Sequence, residues 1–125
     1  MKERDGKLVC IVDDDASLRR SLSNLLMSLG FRVETFPSAE AFLESLPGHR
    51  IGCVVLDVRM AGMSGVDLLR HLAATRAAIP AIMLTAHTDE DTRRQSLQTG
   101  AMAFLAKPVR SDALLEAVRA ALASA

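Results

Sequence analysis

Acidic, hydroxyl and amine side chains follow the apolar segments of this sequence, where they could take part in phosphoryl transfer. Three consecutive aspartates at residues 13–15 follow one apolar segment, and Asp57 follows a second. Thr85 and Lys107 stand at the ends of two more. Crowded carboxylates repel one another and resist ionisation unless a cation lies between them. Mg²⁺ suits that position because it prefers oxygen ligands and binds through one or two carboxylates.

These residue types supply the groups that phosphoryl transfer needs. The reaction depends on positioning and electrostatic stabilisation, which a divalent cation, a hydroxyl group and an amine can provide. A carboxylate such as Asp57 can act as the nucleophile. Taken singly, each residue also has a structural explanation: the aspartates at 13–15 could cap a helix, and Thr85 and Lys107 could be exposed polar residues. Their joint position at the ends of four apolar segments favours one shared site.

The segments that must position these side chains alternate between strand and helix patterns. Residues 8–12, 53–56, 81–84 and 102–105 are short apolar runs, which are typical of strands buried on both faces. Residues 31–35 alternate like a half-buried strand. Apolar residues at steps of three and four between these runs predict amphipathic helices. Five repeats of strand then helix predict a parallel sheet with helices on both faces, and such a sheet binds ligands at the carboxyl ends of its strands.

The composition fits a single domain, which we assign to residues 1–125. Fifteen basic and fifteen acidic residues cancel, so no overall charge would attract nucleic acid or an anionic membrane. No apolar run approaches the ~20 residues that span a bilayer, and the charged N-terminus does not resemble a signal peptide. Cys10 and Cys53 lie in apolar runs and are expected to be reduced core residues. We therefore expect a soluble cytoplasmic protein that does not itself bind nucleic acid.

The sequence resembles the receiver domains of two-component response regulators over nearly its whole length. The resemblance is carried by Ile-Val-Asp-Asp-Asp (11–15), Leu-Asp-Val-Arg-Met (56–60), Met-Ser-Gly (63–65), Leu-Thr-Ala-His (84–87) and Ala-Lys-Pro (106–108). It implies a flavodoxin-like (βα)5 fold, with a doubly wound parallel sheet of five strands in the order 2-1-3-4-5. It also implies a phosphorylation switch that promotes its own phosphorylation and dephosphorylation, and not an enzyme with a separate substrate.

The resemblance implies a role for each residue of the expected site. Asp57 matches the residue that accepts a phosphoryl group from a histidine kinase. Asp13 and Asp14 match the acidic pair that organises Mg²⁺ or Mn²⁺, with Asp14 as the closer ligand. Asp57 and the backbone carbonyl of Arg59 would complete the protein ligands of the cation. Lys107 matches the basic residue that contacts the phosphoryl oxygens.

Two further residues would convert phosphorylation into a change of surface. Thr85 matches the switch hydroxyl that turns toward the phosphoryl group, and Phe104 matches the aromatic residue that then rotates inward. The last helices and strand would thereby present a different face. The Lys107-Pro108 peptide is typically cis in this family. The sequence departs from the family at Ala61, where proline is common, and Ala61 followed by Gly62 predicts a more flexible loop.

Some residues suggest features of this particular chain. Residues 88–100 are expected to form a fourth helix that docks weakly, because Leu97 is its one large apolar residue. Arg59 and His87 each follow a site residue by two positions, and we expect them to tune the lifetime of the phosphoryl group by controlling water access. The last helix, with Phe104 nearby, is the favoured surface for a phosphorylation-dependent homodimer. Its small side chains are equally compatible with the domain's own core.

The sequence alone leaves alternative functions open. Residues 13–17 fit a loose Asp-x-Asp-x-Ser pattern of haloacid-dehalogenase-like phosphatases, in which Asp13 would be the nucleophile and Asp15 the acid/base. This chain is short for that family and lacks its late acidic ligands. A receiver that acts alone by docking, or a degenerate one that only binds partners, is another possibility. Residues 37–43 and 56–60 look most like transcription regulators of the nitrogen-fixation type, whose DNA-binding domain is absent from this chain.

Overall fold

Strands and helices alternate along the chain in the predicted order. The computed structural model describes residues 8–45, 51–75, 79–86 and 90–124. The elements are β1 (Leu8–Val12), α1 (Ala16–Ser28), β2 (Arg32–Phe36), α2 (Ala39–Ser45), β3 (Ile51–Asp57), α3 (Gly65–Thr75), β4 (Ala81–Thr85), α4 (Glu90–Thr99), β5 (Ala103–Ala106) and α5 (Ser111–Ser124). Compared with the prediction, β3 is longer at both ends and β5 begins one residue later.

The five strands form one parallel sheet in the order β2-β1-β3-β4-β5. The predicted flavodoxin-like (βα)5 fold and its strand order 2-1-3-4-5 are therefore confirmed. The direction in which strands are added reverses at β1, because β2 lies on one side of it and β3 on the other. In sheets of this kind, the crevice for ligands lies outside the carboxyl ends of the strands at that reversal.

Apolar side chains fill both faces of the sheet and form two separate clusters. On one face, strand residues such as Val54 and Met83 pack against Phe42 of α2 and Leu68 of α3. The opposite face carries α1 and α5, whose buried residues are Leu22, Leu26, Leu114, Val118, Ala121 and Leu122. Burial of one such aliphatic side chain contributes about 1.5–3 kcal/mol relative to its exposure. The three inner strands are buried on both faces, which explains their continuous apolar sequences.

Both cysteines are free thiols in this core, as expected. Cys10 belongs to the cluster that includes α2 and α3, whereas Cys53 belongs to the cluster that includes α1 and α5. Burial raises the pKa of each thiol to about 12. The two thiols are therefore protonated at neutral pH and lie on opposite faces of the sheet.

Across the four described ranges, no helix combines the length and the apolar character that crossing a bilayer requires.

Helix α4 contributes little apolar surface to the core. Its one buried residue is Ser96, and its large apolar residue, Leu97, is 37% exposed. Gly100, at a φ of +118°, ends the helix, with its N–H donated to the Leu97 carbonyl and the following N–H of Ala101 donated to Ser96. The sparse apolar contact agrees with weak docking, which stays a prediction. Residues 87–89, which the sequence analysis assigned in part to this helix, lie outside the described ranges.

Ser96 also carries a polar atom that the fold does not satisfy. Among the described residues, its hydroxyl is the buried side-chain polar group without a hydrogen-bond partner. Ser96→Ala should therefore raise the free energy of unfolding by about 1 kcal/mol, because it removes an unsatisfied hydroxyl and improves helix propensity. Urea denaturation followed by far-ultraviolet circular dichroism measures the change.

A matched control for this substitution is Ser45→Ala on α2. The exposed Ser45 hydroxyl donates to the Ala41 carbonyl at 3.2 Å, and its loss should change stability by less than about 0.5 kcal/mol. A Ser96→Ala protein that is less stable than the wild type would contradict the expectation.

Candidate functional site

The parallel sheet brings together the side chains that the sequence analysis assigned to one site. Val12 and Leu56 are register partners in β1 and β3, so Asp13 and Asp57 leave neighbouring strands side by side. β4 ends at Thr85, whose carbonyl accepts a hydrogen bond of 2.7 Å from the backbone N–H of Lys107. The strand ends thus converge on one edge of the sheet, as predicted.

Asp13, Asp14 and Asp57 form an acidic cluster at this edge. One carboxylate oxygen from each lies within 4.8 Å of the other two. Asp13 and Asp57 are buried, whereas Asp14 is exposed. A hard divalent cation fits this donor set, because Mg²⁺ takes a few carboxylate oxygens and keeps several waters on its open side.

Lys107 bridges two members of the acidic cluster. Its Nζ lies 3.2 Å from Oδ2 of Asp13 and 3.2 Å from Oδ1 of Asp57. Burial by itself acts to lower the pKa of this ammonium, but the charges and hydrogen bonds of Asp13 and Asp57 outweigh it and raise the pKa above its usual value. Lys107 is therefore a permanent cation at neutral pH, suited to hold negative oxygens and not to accept a proton.

The carboxyl group of Asp57 is harder to ionise than an exposed one. Burial, followed by the negative charge of Asp13, raises its pKa above the usual value. The charge and hydrogen bond of Lys107 and a hydrogen bond from the backbone N–H of Arg59 oppose this shift without cancelling it. Since Lys107 balances only one of three negative charges, the cluster favours a further cation.

Helix α1 fixes the backbone around Asp13. The Asp15 side chain caps this helix by accepting hydrogen bonds from the N–H groups of Ser17 and Leu18 at 2.9 and 3.2 Å. The Asp15 N–H in turn donates to Oδ1 of Asp13 at 2.9 Å. Asp15 thus has the capping function that the sequence analysis weighed for this run.

Arg19 is a site residue that the sequence analysis missed. Its Nη1 donates a hydrogen bond of 2.6 Å to the Asp13 carbonyl oxygen. In the sequence, nothing in the local pattern separates Arg19 from the neighbouring Arg20. The contact becomes visible only once the helix is placed against the end of β1.

The loop after Asp57 folds back closely on the end of β3. The Gly65 N–H donates to the Val58 carbonyl at 2.9 Å. A Cβ atom at Gly65 would lie 2.1 Å from the Asp57 carbonyl oxygen, so any other residue would displace the backbone of Asp57. Arg59 has an exposed side chain, and its backbone N–H contacts the carboxylate of Asp57.

Thr85 and Phe104, the residues expected to act as the switch, lie at the end of β4 and within β5. Thr85 is 3% exposed, and Phe104 is half-buried against the cluster that includes α2 and α3. The Lys107-Pro108 peptide is cis, as the resemblance implies. His87 lies outside the described residues. The roles given to these side chains therefore stay predictions.

The raised pKa of Asp57 predicts how stability depends on pH. Between the pKa of the unfolded chain and the raised value in the folded protein, the folded state binds more protons, so stability falls as pH rises through this window. Above the window the ionised carboxylate remains destabilising. In a solution free of divalent cations, Asp57→Asn should therefore be more stable than the wild type at pH 7, and the difference should shrink as the pH is lowered through the window.

Urea denaturation at a series of pH values measures this difference. Glu44→Gln, which neutralises an exposed carboxylate on α2, serves as the control and should show no comparable gain. An Asp57→Asn protein that is less stable than the wild type at pH 7 would refute the electrostatic explanation.

Comparison with known proteins agrees with this geometry. The response regulator receiver domain family matches residues 9–119. The transcriptional regulatory protein FixJ of Bradyrhizobium diazoefficiens is 41% identical over 117 residues, which are 94% of this chain and 57% of FixJ. Nodulation protein W of the same organism is 44% identical over 114 residues, covering 91% of this chain and 50% of that protein. The chain thus spans about half the length of the curated relatives it matches.

Solved structures show the same similarity. The crystal structure of FixJ-N superposes with a TM-score of 0.88 at 39% sequence identity, and the match covers 95% of each chain. The response regulator StyR superposes with a TM-score of 0.86 at 44% identity over 94% of this chain and 60% of StyR. With the acidic cluster and Lys107 at the strand ends, these matches establish that the chain belongs to the response regulator receiver domain family.

Proposed function

We propose that this domain accepts a phosphoryl group on Asp57 from the phosphohistidine of a histidine kinase and thereby switches its surface. The observation that carries the proposal is the buried Asp57 carboxylate, which contacts Lys107 at 3.2 Å and has oxygens of Asp13 and Asp14 within 4.8 Å. Membership in the receiver family supports a histidine kinase as the partner.

Each step of the proposed reaction uses groups at this edge of the sheet. A carboxylate oxygen of Asp57 attacks the phosphorus atom, the phosphorus–nitrogen bond breaks, and the imidazole leaves with the electron pair of that bond. Lys107 transfers part of its contact from Asp57 to the phosphoryl oxygens and holds their charge. Water later attacks the acyl phosphate, which releases inorganic phosphate and restores the carboxylate. We include this self-catalysed chemistry in the proposal.

Asp13, Asp14, Asp57 and the backbone carbonyl of Arg59 would hold Mg²⁺ or Mn²⁺. When bound, this cation neutralises negative charge on the transferring group. The chain's own contribution is to keep two carboxylates buried and a third open to solvent, so that a cation can enter from the Asp14 side. The hydrogen bonds from Asp15 and Arg19 hold Asp13 in place for this purpose.

A groove beside Lys107 provides a surface on which a phosphodonor protein could dock. It lies between α1 and the start of α5, and its apolar lining includes Leu18, Leu22, Leu25 and Val109. Docking here would bring a phosphohistidine to the edge that holds Asp57 and would cover apolar side chains at the same time. From membership in the receiver family, we further propose that the exchange takes place in the cytoplasm.

The output of the switch is the second part of the proposal. The hydroxyl of Thr85 would turn toward the new phosphoryl group and Phe104 would rotate inward, which changes the face formed by α4, β5 and α5. Leu97 and Met102, which are large and apolar, are exposed in this region. We propose that they help to form a phosphorylation-dependent homodimer. Because FixJ is a transcriptional regulatory protein, we further propose that the output is transcription through a DNA-binding domain.

The alternative of a haloacid-dehalogenase-like phosphatase is not favoured. The family match covers residues 9–119 as a receiver. Asp15 caps α1 through Oδ1 and is not one of the three carboxylates of the acidic cluster, so helix capping accounts for its position without an acid/base role.

Incubation with acetyl phosphate and Mg²⁺, followed by intact mass measurement, tests the reaction. The wild type should gain the mass of one phosphoryl group, and Asp57→Asn should gain none. Lys107→Ala should react roughly 10²-fold more slowly, because it removes a positioned charge from the transition state. Modification that persists in Asp57→Asn but disappears in Asp13→Asn would reverse the assignment in favour of the phosphatase.

Light scattering on the same samples tests the proposed dimer. The phosphorylated wild type should show a higher mean mass than the untreated protein, while Asp57→Asn should be unaffected by acetyl phosphate. A phosphorylated sample that scatters as a monomer at all concentrations would rule out dimerisation through this domain alone.

Arg59 and His87 are proposed to slow hydrolysis by limiting the access of water. The exposed side chain of Arg59 is compatible with this role. Replacement of both residues by alanine should change the rate at which the phosphorylated protein loses phosphate, by roughly threefold or more if one well-positioned contact is lost. Loss of phosphate is followed by mass after removal of the donor, and an unchanged rate would reject the hypothesis.

A further inference from the structure

The acceptor loop, which we define as residues 58–64, joins β3 to α3 directly after Asp57. It contains Arg59, whose N–H contacts the Asp57 carboxylate. The sequence predicts a flexible middle for this loop, since Ala61 is followed by Gly62, which adopts a φ of +79°. The conformation of this loop therefore determines where Asp57 and the Arg59 backbone stand relative to each other.

Backbone hydrogen bonds hold the two ends of the acceptor loop. The Val58 N–H donates to the Leu84 carbonyl at 2.8 Å, and the Gly65 N–H donates to the Val58 carbonyl at 2.9 Å. The middle of the loop is held by side chains. The Ala61 N–H reaches Asp14 at 3.4 Å, a long and weak contact, whereas the Met63 N–H reaches Glu40 at 2.9 Å. Of these two hydrogen bonds, the one to Glu40 is the shorter, and it is therefore the stronger restraint on the middle of the loop.

Glu40 is presented to the loop from the first turn of α2. The helix begins after Ser38, whose Oγ accepts a hydrogen bond of 3.0 Å from the Ala41 N–H. The Glu40 carboxylate lies against Gly62: a Cβ atom there would stand 2.7 Å from Oε2. Because Gly62 has no side chain, the Glu40 carboxylate can occupy this space. The hydrogen bond from Met63 and a second from its own backbone N–H lower the pKa of Glu40, which makes the contact to Met63 a charge-assisted one.

We propose that Glu40 is a positioning residue, which holds the middle of the acceptor loop from α2. The inference rests on the proposed function of Asp57. Glu40 does not touch the acidic cluster and acts through the loop. It limits the conformations that the loop can adopt, so that less rearrangement is needed to bring Arg59 and Asp57 together when a cation binds. Loss of this restraint adds conformational entropy that binding must then remove.

The rest of the loop explains why removal of Glu40 should loosen the domain locally and not unfold it. Met60 and Met63 are half-buried and pack against the cluster that includes α2 and α3. The backbone hydrogen bonds at both ends of the loop are independent of Glu40. A Glu40 variant should therefore fold normally and change mainly the middle of the loop.

Amide hydrogen exchange by NMR, without divalent cations or phosphodonor, tests the contact itself. In Glu40→Ala, the Met63 amide should exchange roughly three- to tenfold faster than in the wild type, the effect of losing one hydrogen bond. Glu40→Gln keeps an acceptor but loses the charge, so its Met63 amide should exchange at a rate between those of the wild type and Glu40→Ala. Glu44→Ala removes an equal charge from the same helix and should leave Met63 unchanged. Equal Met63 exchange in Glu40→Ala and wild type would overturn the proposal.

Isothermal titration with Mg²⁺ tests the consequence for the site. Glu40→Ala should bind Mg²⁺ roughly three- to tenfold more weakly than the wild type. Glu40→Gln should lose less affinity than Glu40→Ala, and Glu44→Ala should remain close to the wild type. If Glu40→Gln loses as much affinity as Glu40→Ala, the effect comes from charge and the positioning role is wrong. Unchanged affinity in Glu40→Ala would also overturn it. A failure of the wild type to bind Mg²⁺ would count against the proposed function. Hydrogen exchange at Met63 requires no cation, so it would still test the Glu40–Met63 contact in that case.

Discussion

An excess of negative charge at one edge of the sheet is the constraint on which the rest of this structure depends. Three carboxylates meet there, and Lys107 compensates only one of them. Charges that are partly removed from water are costly unless they are paired. The apolar strands β1, β3 and β4, buried on both faces, provide the stability that lets the fold keep such a site. The acidic cluster therefore keeps uncompensated negative charge, which a bound cation would neutralise.

Residues of three helices position the carboxylates of the acidic cluster and the loop beside them. Helix α1 contributes Asp15 and Arg19, which fix the side chain and the backbone of Asp13 respectively. Gly65, at the start of α3, allows the loop after Asp57 to return to the end of β3, and Glu40 reaches the same loop from α2. The site is therefore assembled by the amino-terminal regions of three helices around the carboxyl ends of the strands. A change in how α1 docks would reach Asp13 through the contacts of Asp15 and Arg19, whereas a change in α2 or α3 would act through the loop after Asp57.

The order of the elements and the central site residues could be predicted from the sequence, because both follow from local patterns. Continuous apolar runs mark buried parallel strands, and a parallel sheet collects whatever follows its strands, here Asp13, Asp57, Thr85 and Lys107. Arg19 and Glu40 could not be predicted in this way. Each is one of several similar polar residues on a helix, and its role is set by the distance to a loop that is remote in sequence. The start of β5 was misjudged for a related reason: exposed Met102 extends an apolar run that the sheet itself does not include.

The sheet also separates the two cysteines, so that each thiol lies under a different layer of helices. Cys10 faces the layer of α2 and α3, and Cys53 faces the layer of α1 and α5. A thiol-reactive reagent can reach either sulfur only after the helices on its own side have moved away. The relative rates at which the two sulfurs are modified would consequently distinguish motions that detach one helical layer from motions that open the whole domain, without any engineered label.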